Sequence, residues 1–206
     1  MAKKDGNAEE KIKEAARKLF TQKGFAATRT RDIAEEAGIN LALLNYYFRS
    51  KEKLFEIIMR ENLQQFMGII LQHFSKEKLT FEERISFLVS NYIDMLIRNP
   101  DLPLFVMYEI RSGQNKERPS PQFEAMNNIR HSFVKEIEKL MSSGKVKKVH
   151  PLHVVSNIIG LTVFPFLAAP ILTERLGKMS RKQFNELMLE RKKLIPIWIK
   201  AMLTAK

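Results

Sequence analysis

The chain is predicted to be all-α: a three-helix N-terminal head, joined by a long helix to a helical body. Three observations carry this. Apolar residues recur at helical spacing through most of the 206 residues. No stretch alternates apolar and polar side chains as a half-buried strand would. And Thr30 to Arg49, TRDIAEEAGINLALLNYYFR, has the spacing of two short helices around a glycine turn.

Taken in order, Glu9 to Gly24 is an amphipathic helix, with Ile12, Ala15, Ala16, Leu19 and Phe20 on one face. Gly24 ends it and Phe25 tucks under the bundle. Thr28 is expected to cap the next helix, whose first turn holds Arg29, Thr30 and Arg31 and whose inner face holds Ile33, Ala34 and Ala37. Gly38 suits a left-handed turn, where a Cβ would be strained. Ile39 plugs that turn and Asn40 caps a second short helix with Leu44, Tyr47 and Phe48 inside. Ala34 matters because the two helices cross closely four residues before the glycine. Ser50 then caps a fourth helix that carries Leu54, Phe55, Ile57 and Ile58 and runs on through Phe66, Ile69 and Ile70 to about Phe74.

Further helices are predicted over Phe81 to Asn99, Pro103 to Arg111 and Pro121 to Met141, separated by Asn99-Pro100, the Gly113 to Pro119 loop and Ser142-Ser143-Gly144. Pro151 opens another as a first-turn residue, and the last spans Arg181 to Met202 with a kink at Pro196. No flexible linker divides the chain, so the boundary falls inside the connecting helix: residues 1–53 as the head, 54–206 as the body.

Composition narrows the function classes. The formal charge is +12, which favours anionic partners such as nucleic acid or acidic headgroups. Residues 1–60 hold 13 Lys and Arg against 9 Asp and Glu, so most of the surplus lies beyond the head and does not locate a binding face. The absence of cysteine excludes disulfides and thiolate metal sites and fits a reducing cytoplasm. Met1 to Glu10 has no apolar signal-peptide core. Val154 to Leu172 is uncharged and long enough to span a bilayer, but Ser156, Asn157, Gly160, Thr162, Pro165 and Pro170 argue for a buried interface helix broken by its prolines. His150 and His153 stand three apart without a third ligand, so no metal and no cofactor are expected. No phosphate-binding glycine loop or nucleophile motif points to an enzyme.

From Gly24 to Leu54 the sequence resembles the TetR (tetracycline repressor) family of transcription regulators. The matching residues are Gly24-Phe25, Thr28, Asp32-Ile33-Ala34, Ala37-Gly38-Ile39, Leu44, Tyr47-Phe48 and Ser50-Lys51-Glu52-Lys53-Leu54. Asn45 departs from the pattern where a tyrosine usually follows the leucine, and Leu43 departs where a small or hydroxylated residue often stands. The resemblance implies a cytoplasmic, dimeric repressor that leaves a palindromic operator when a small molecule binds.

Phosphate contacts fix docking; base contacts specify sequence. Thr28, Tyr47 and Lys51 are the expected phosphate contacts, Thr28 and Lys51 at helix N-termini, with Arg29, Thr30 and Tyr46 as helpers. The resemblance supports Tyr47 and Lys51 in that role. Leu41, Ala42, Leu43, Asn45 and Tyr46, at the start of the second short helix, are expected at base edges. Asn45 fits adenine, Arg31 guanine, and the apolar residues thymine methyls, an A/T-biased reader.

A lone head makes too few contacts for useful specificity, so two copies are expected to read half-sites about one turn apart. The expected interface is Val155, Ile158, Ile159, Val163 and Phe166 with Leu194 and Trp198, as a four-helix bundle across a two-fold axis. Phe66, Ile70, Phe87, Met95, Phe105, Tyr108, Met126 and Phe133 read as core, and together as a pocket for a largely apolar effector, which the resemblance places in the body.

Overall fold

The computed structural model describes residues 2–74, 79–112 and 121–204; of these, nothing is said of the side chains of 2–6, 109, 112, 121–123, 125 and 126. The described residues are helical, with no strand. In order they form α1 (Ala2–Ala27), α2 (Thr30–Glu36), α3 (Leu41–Phe48), α4 (Lys51–Phe74), α5 (Phe81–Arg98), α6 (Leu102–Ser112), α7 (Pro121–Ser142), α8 (Pro151–Leu167), a short π-helical turn (Ile171–Leu176) and α9 (Arg181–Thr204). Among the described residues no helix is long and apolar enough to cross a membrane.

The head is built as the apolar spacing dictates. Ile12, Ala16, Leu19 and Phe20 of α1 are buried with Ile33 and Ala34 of α2 and Leu44 and Phe48 of α3. Gly24 interrupts α1 with φ 77° and ψ 166°, a backbone a side chain rarely adopts, so the helix breaks there. Gly38 takes φ 67° in the α2–α3 turn. Asn40 caps α3 by accepting the Leu43 N–H at 2.7 Å, and Ser50 caps α4 by accepting the Lys53 N–H at 3.1 Å. One cap differs from expectation. The hydroxyl of Thr28 donates backwards to the Gly24 carbonyl at 2.7 Å; the N-cap of α2 is Arg29, whose N–H is received by Asp32 at 3.4 Å. Thr28 therefore seals the break behind it instead of capping the helix ahead.

α4 connects head and body. Leu54 and Ile58 lie in the head end of its buried face, Phe66, Met67 and Ile70 in the body end. A charge network fastens α1 along it: Lys13 reaches Glu61 at 3.1 Å, and Arg17 binds both Glu61 and Glu10. In the body, α5 is the central helix. It is packed mainly against α9 and also touches α4 and α8, while α7 leans on α4. Its inner face, Ile85, Val89, Ile93 and Leu96, is buried, as are Ile195 and Ile199 of α9. A capping box starts α5, with Thr80 and Glu83 exchanging hydrogen bonds.

The uncharged segment behaves differently from its prediction. Pro165 lies buried inside α8, which continues through it to Leu167. The nearby Thr162 hydroxyl donates to the Ile158 carbonyl at 2.7 Å. The helix gives way only at Ala168, and the π-helical turn follows Pro170. Pro196 likewise sits within an uninterrupted α9.

Candidate nucleic-acid interface

Burial of Leu44 and Phe48 fixes which side of α3 faces outward. Ala42, Asn45 and Tyr46 are exposed, Tyr46 to 79 %, while Leu41, Leu43 and Tyr47 are half-buried at the edges. The Tyr46 and Tyr47 rings meet edge to face with centroids 5.5 Å apart, so the outer tyrosine is braced by the inner one. At the start of α2, Arg29 and Arg31 are exposed and Thr30 is half-buried. This leaves one amide, one phenol, two guanidinium groups and three aliphatic side chains on or beside a short outward helix. Such a set has donors for phosphate oxygens and both donor and acceptor atoms for base edges.

Two expected phosphate ligands have other duties. Thr28 is corrected outright: it is 1 % exposed, and its hydroxyl is spent on the Gly24 carbonyl, so it offers no side-chain donor to an anion. Lys51 is half-buried, and its ammonium donates at 2.9 Å to the carbonyls of Phe25 and Thr28 while lying 4.2 Å from the centre of the Phe25 ring. Both carbonyls flank the α1–α2 connection. Lys51 thus ties the foot of α4 to that connection, with one of its three donors left for another acceptor.

The head is also tied to the body by residues that sequence reasoning missed. The Asp101 carboxylate accepts the Phe25 N–H at 2.8 Å, and the Thr21 hydroxyl donates to the Arg98 carbonyl at 2.7 Å. Phe25 itself packs on Phe55, centroids 4.5 Å apart, and Phe55 meets Phe105 of α6 edge-on. The α5–α6 corner therefore holds the break in α1. No local signal marks Asp101, whose partner lies 76 residues earlier.

Residues 12–58 match the model of the bacterial regulatory proteins, tetR family. The helix-turn-helix segment is therefore similar to that of the tetR family. That family comprises DNA-binding transcriptional regulators, and the helix-turn-helix just described is the part the match covers. Over 201 residues the chain is 25% identical to a probable HTH-type transcriptional regulator, YttP, of Bacillus subtilis, spanning 95% of this chain and 93% of that one. It is also 25% identical over 179 residues to the negative regulator of the biofilm operon, IcaR, of Staphylococcus aureus, covering 86% and 92% of the two chains. Its fold is shared with the transcriptional regulator FadR from Bacillus subtilis, solved in complex with stearoyl-CoA: TM-score 0.56, 19% identity, 89% and 96% coverage.

The body divides the remaining sequence expectations. Of the interface residues, Ile158 and Phe166 are 4 % and 5 % exposed and belong to the chain's own core, a correction that follows from their facing α5 and α9 across α8. Val155 and Val163 are half-buried; Ile159, Leu194 and Trp198 are exposed, together with Leu152, Phe164 and Ile197. Arg191 lies 5.1 Å from the centre of the Trp198 ring and donates to the Leu161 carbonyl at 2.8 Å, pinning α9 to α8 beside this apolar strip. His150 is occupied as the cap of α8, accepting the Leu152 N–H at 3.2 Å.

The expected pocket residues are scattered. Phe66, Ile70, Met95 and Phe133 are buried core, Phe87 and Phe105 are half-buried, and Tyr108 is 66 % exposed on α6, facing away from the core. Met126 lies outside the described side chains. Phe66 and Met95 do border a groove of about 500 Å³ between α1, α4 and α5, but its other walls are polar, including Asn62, Gln65, Asn91 and Asn99. Beside it Tyr92 stacks on Phe66, and burial pushes its phenol up to about 12, so it stays protonated.

Proposed function

We propose that this protein is a repressor that binds a palindromic operator as a homodimer and leaves it when a largely apolar effector enters the body. Residues 1–53 form the DNA-binding part and 54–206 the effector-binding and dimerisation part. The observation that carries the reading is the outward face of α3. Ala42, Asn45 and Tyr46 are held clear of the core by Leu44 and Phe48, with Arg29 and Arg31 beside them on α2. In this reading Asn45 and Arg31 contact bases, Leu41, Ala42 and Leu43 lie against thymine methyls, and Arg29, Thr30, Tyr46, Tyr47 and the spare donor of Lys51 hold phosphates.

Dimerisation uses the strip on α8 and α9. Ile159, Phe164, Leu194, Ile197 and Trp198 are large apolar side chains exposed on these two helices, and clustered apolar surface of this kind marks interaction sites. Exposed Ser156 and Gly160, one turn apart on α8, leave room for a second helix to approach. Release by ligand is supported by the neighbour solved with stearoyl-CoA, and repression by the negative regulator among the relatives. The route from body to head is the pair of ties from Asp101 and Arg98 to the end of α1. A protein working in this way acts in the cytoplasm, on the host's own DNA.

Selection of bound genomic fragments followed by footprinting tests the proposal. The expected result is an inverted repeat protected as two half-sites about one helical turn apart, with two chains per duplex. A protein that remains monomeric at micromolar concentration and retards no genomic fragment would overturn it.

A further inference from the structure

At the end of the body far along α4 from the head, α5, α7 and α9 frame an open cleft of about 890 Å³. Its floor is apolar: Phe81, Ile85, Leu140, Val146 and Leu203. Its walls carry five cations, Arg84, Lys135, Lys139, Lys145 and Lys200, and two carboxylates, Glu82 and Glu136. Both carboxylates are already matched. Glu136 lies 3.6 Å from Arg84, and Glu82 lies 3.7 Å from Lys200. Lys135, Lys139 and Lys145 remain, and among the described residues none of their ammonium groups lies within ion-pair or hydrogen-bond distance of a partner.

A row of lysines on one helix face is ordinarily a solvated surface. This arrangement differs in three ways. The cations come from four elements (α5, α7, the loop after α7, and α9) and converge over apolar side chains. Lys135 and Lys139 stand at i and i+4, where like charges repel, and the carboxylate between them, Glu136, is shared with Arg84. Arg84 is a fixed charge, not a floating one: its guanidinium donates to the Phe74 carbonyl at 3.0 Å, lies 5.4 Å from the centre of the Phe74 ring, and has only 12 % of its side chain exposed. The carboxyl of Glu136 is raised by burial, with Arg84 and then Lys139 pulling the other way.

We infer that this cleft binds an amphiphile whose apolar chain lies on the Phe81–Ile85–Leu203 floor and whose phosphate-bearing head is held by Lys135, Lys139 and Lys145. The volume fits a ligand-sized molecule, and a dianionic head meets the three unmatched charges. The site is separate from the α8–α9 strip. Leu203 falls on the opposite side of α9 from Leu194 and Trp198, while Lys200, one turn beyond Ile197, stands at the border between the two.

Titration calorimetry of the full-length protein without DNA tests this, independently of the operator reading. The minimal probe is dodecyl phosphate below its micelle concentration, with dodecanol as the uncharged control; lysophosphatidic acid and dodecanoyl-CoA distinguish a lipid from a thioester source. Dodecyl phosphate is expected to bind saturably and dodecanol at least about tenfold more weakly. The charge-reversed pair Lys135→Glu with Lys139→Glu should weaken the phosphate about tenfold or more and leave dodecanol unchanged, an effect diminished by added salt. Ser132→Trp, at an exposed lining position, should block both probes by filling the cleft. Tighter binding of either natural-type ligand than of dodecyl phosphate supports the site and names the source. Absence of saturable binding, or equal affinities for the wild type and the charge-reversed pair, overturns it.

Discussion

Removing the carboxylate of Asp101 should loosen the head without unfolding it. In Asp101→Ala the Phe25 N–H loses its acceptor, at the one place where α1 is broken and has no helical carbonyl to offer. A hydrogen bond to a charged acceptor contributes roughly 1.5–3 kcal/mol when it is sheltered; this one is part-buried, so about 1–2 kcal/mol is a fair expectation. For a chain of 206 residues that amounts to a fall in Tm of about 2–8 °C. The structural effect should be local. Amide exchange at Phe25 and through the α1–α2 connection should quicken, while α5 and α9, buried against each other, keep their protection. Affinity for operator should drop because the orientation of the heads is less restricted. Asp101→Asn keeps an oxygen in place and should recover most of the stability. Unchanged exchange at Phe25 together with an unchanged Tm in Asp101→Ala would refute the idea that the α5–α6 corner holds the head.

Asn45→Ala should alter base preference at one position of each half-site by about 1–3 kcal/mol with little change in stability, read by competition among operator variants. Lys51→Ala should weaken all duplexes to a similar degree and also lower the Tm, because two carbonyls and the Phe25 face lose their cation; a change in sequence preference instead would contradict its place in the fold. Ile159→Glu puts a charge in the exposed strip of α8 and should shift sedimentation from dimer to monomer, whereas Leu152→Ala, at the edge of that strip, should not. Glu10 has its carboxyl held below the usual range, first by the hydrogen bond from Lys13 and then by that from Arg17. Its contribution is complete above the unfolded carboxylate range and is lost as pH falls through its lower folded value. The Tm of the wild type should therefore fall with acid more steeply than that of Glu10→Gln, and by a small amount, since Glu10 is half-exposed.

How far the fold could be read in advance depends on the range of the interaction responsible. The glycine turn, the Asn40 and Ser50 caps and the buried faces of α1 to α4 are set by neighbours within one or two helical turns, and each was legible. Thr28 was misread because a hydroxyl between two helices can serve either one. The decision rests on Gly24, whose backbone turns a carbonyl towards Thr28 and leaves Asp32 to receive the Arg29 N–H. Pro165 was misread because a proline removes only one donor, and the packing of the inner side of α8 against its neighbours offsets that loss. Ile158 and Ile159 show the limit of composition. Both are aliphatic and adjacent, yet one turns into the core and the other towards solvent, a difference of about 100° around α8 that only the packing partner decides.

The same reasoning explains why several of the expected pocket residues pack as core while one side of α3 stays outward. A reading helix needs one side buried and the other free, and periodicity reports that directly. A pocket needs side chains from distant elements to leave a space between them, whereas Phe66, Ile70, Met95 and Phe133 close together as core because nothing on their own helices prevents it. The space is left where packing is opposed by charge. Lys135 and Lys139 of α7 cannot be drawn over the apolar floor towards Lys200 of α9 without crowding like charges, and the cleft between those helices stays open. In a chain whose charge surplus lies mainly beyond its head, the positive residues of the body thus have a structural consequence of their own. An anion arriving in that cleft would let α7 and α9 approach, and α5, packed against α9, runs back to the corner that holds Phe25.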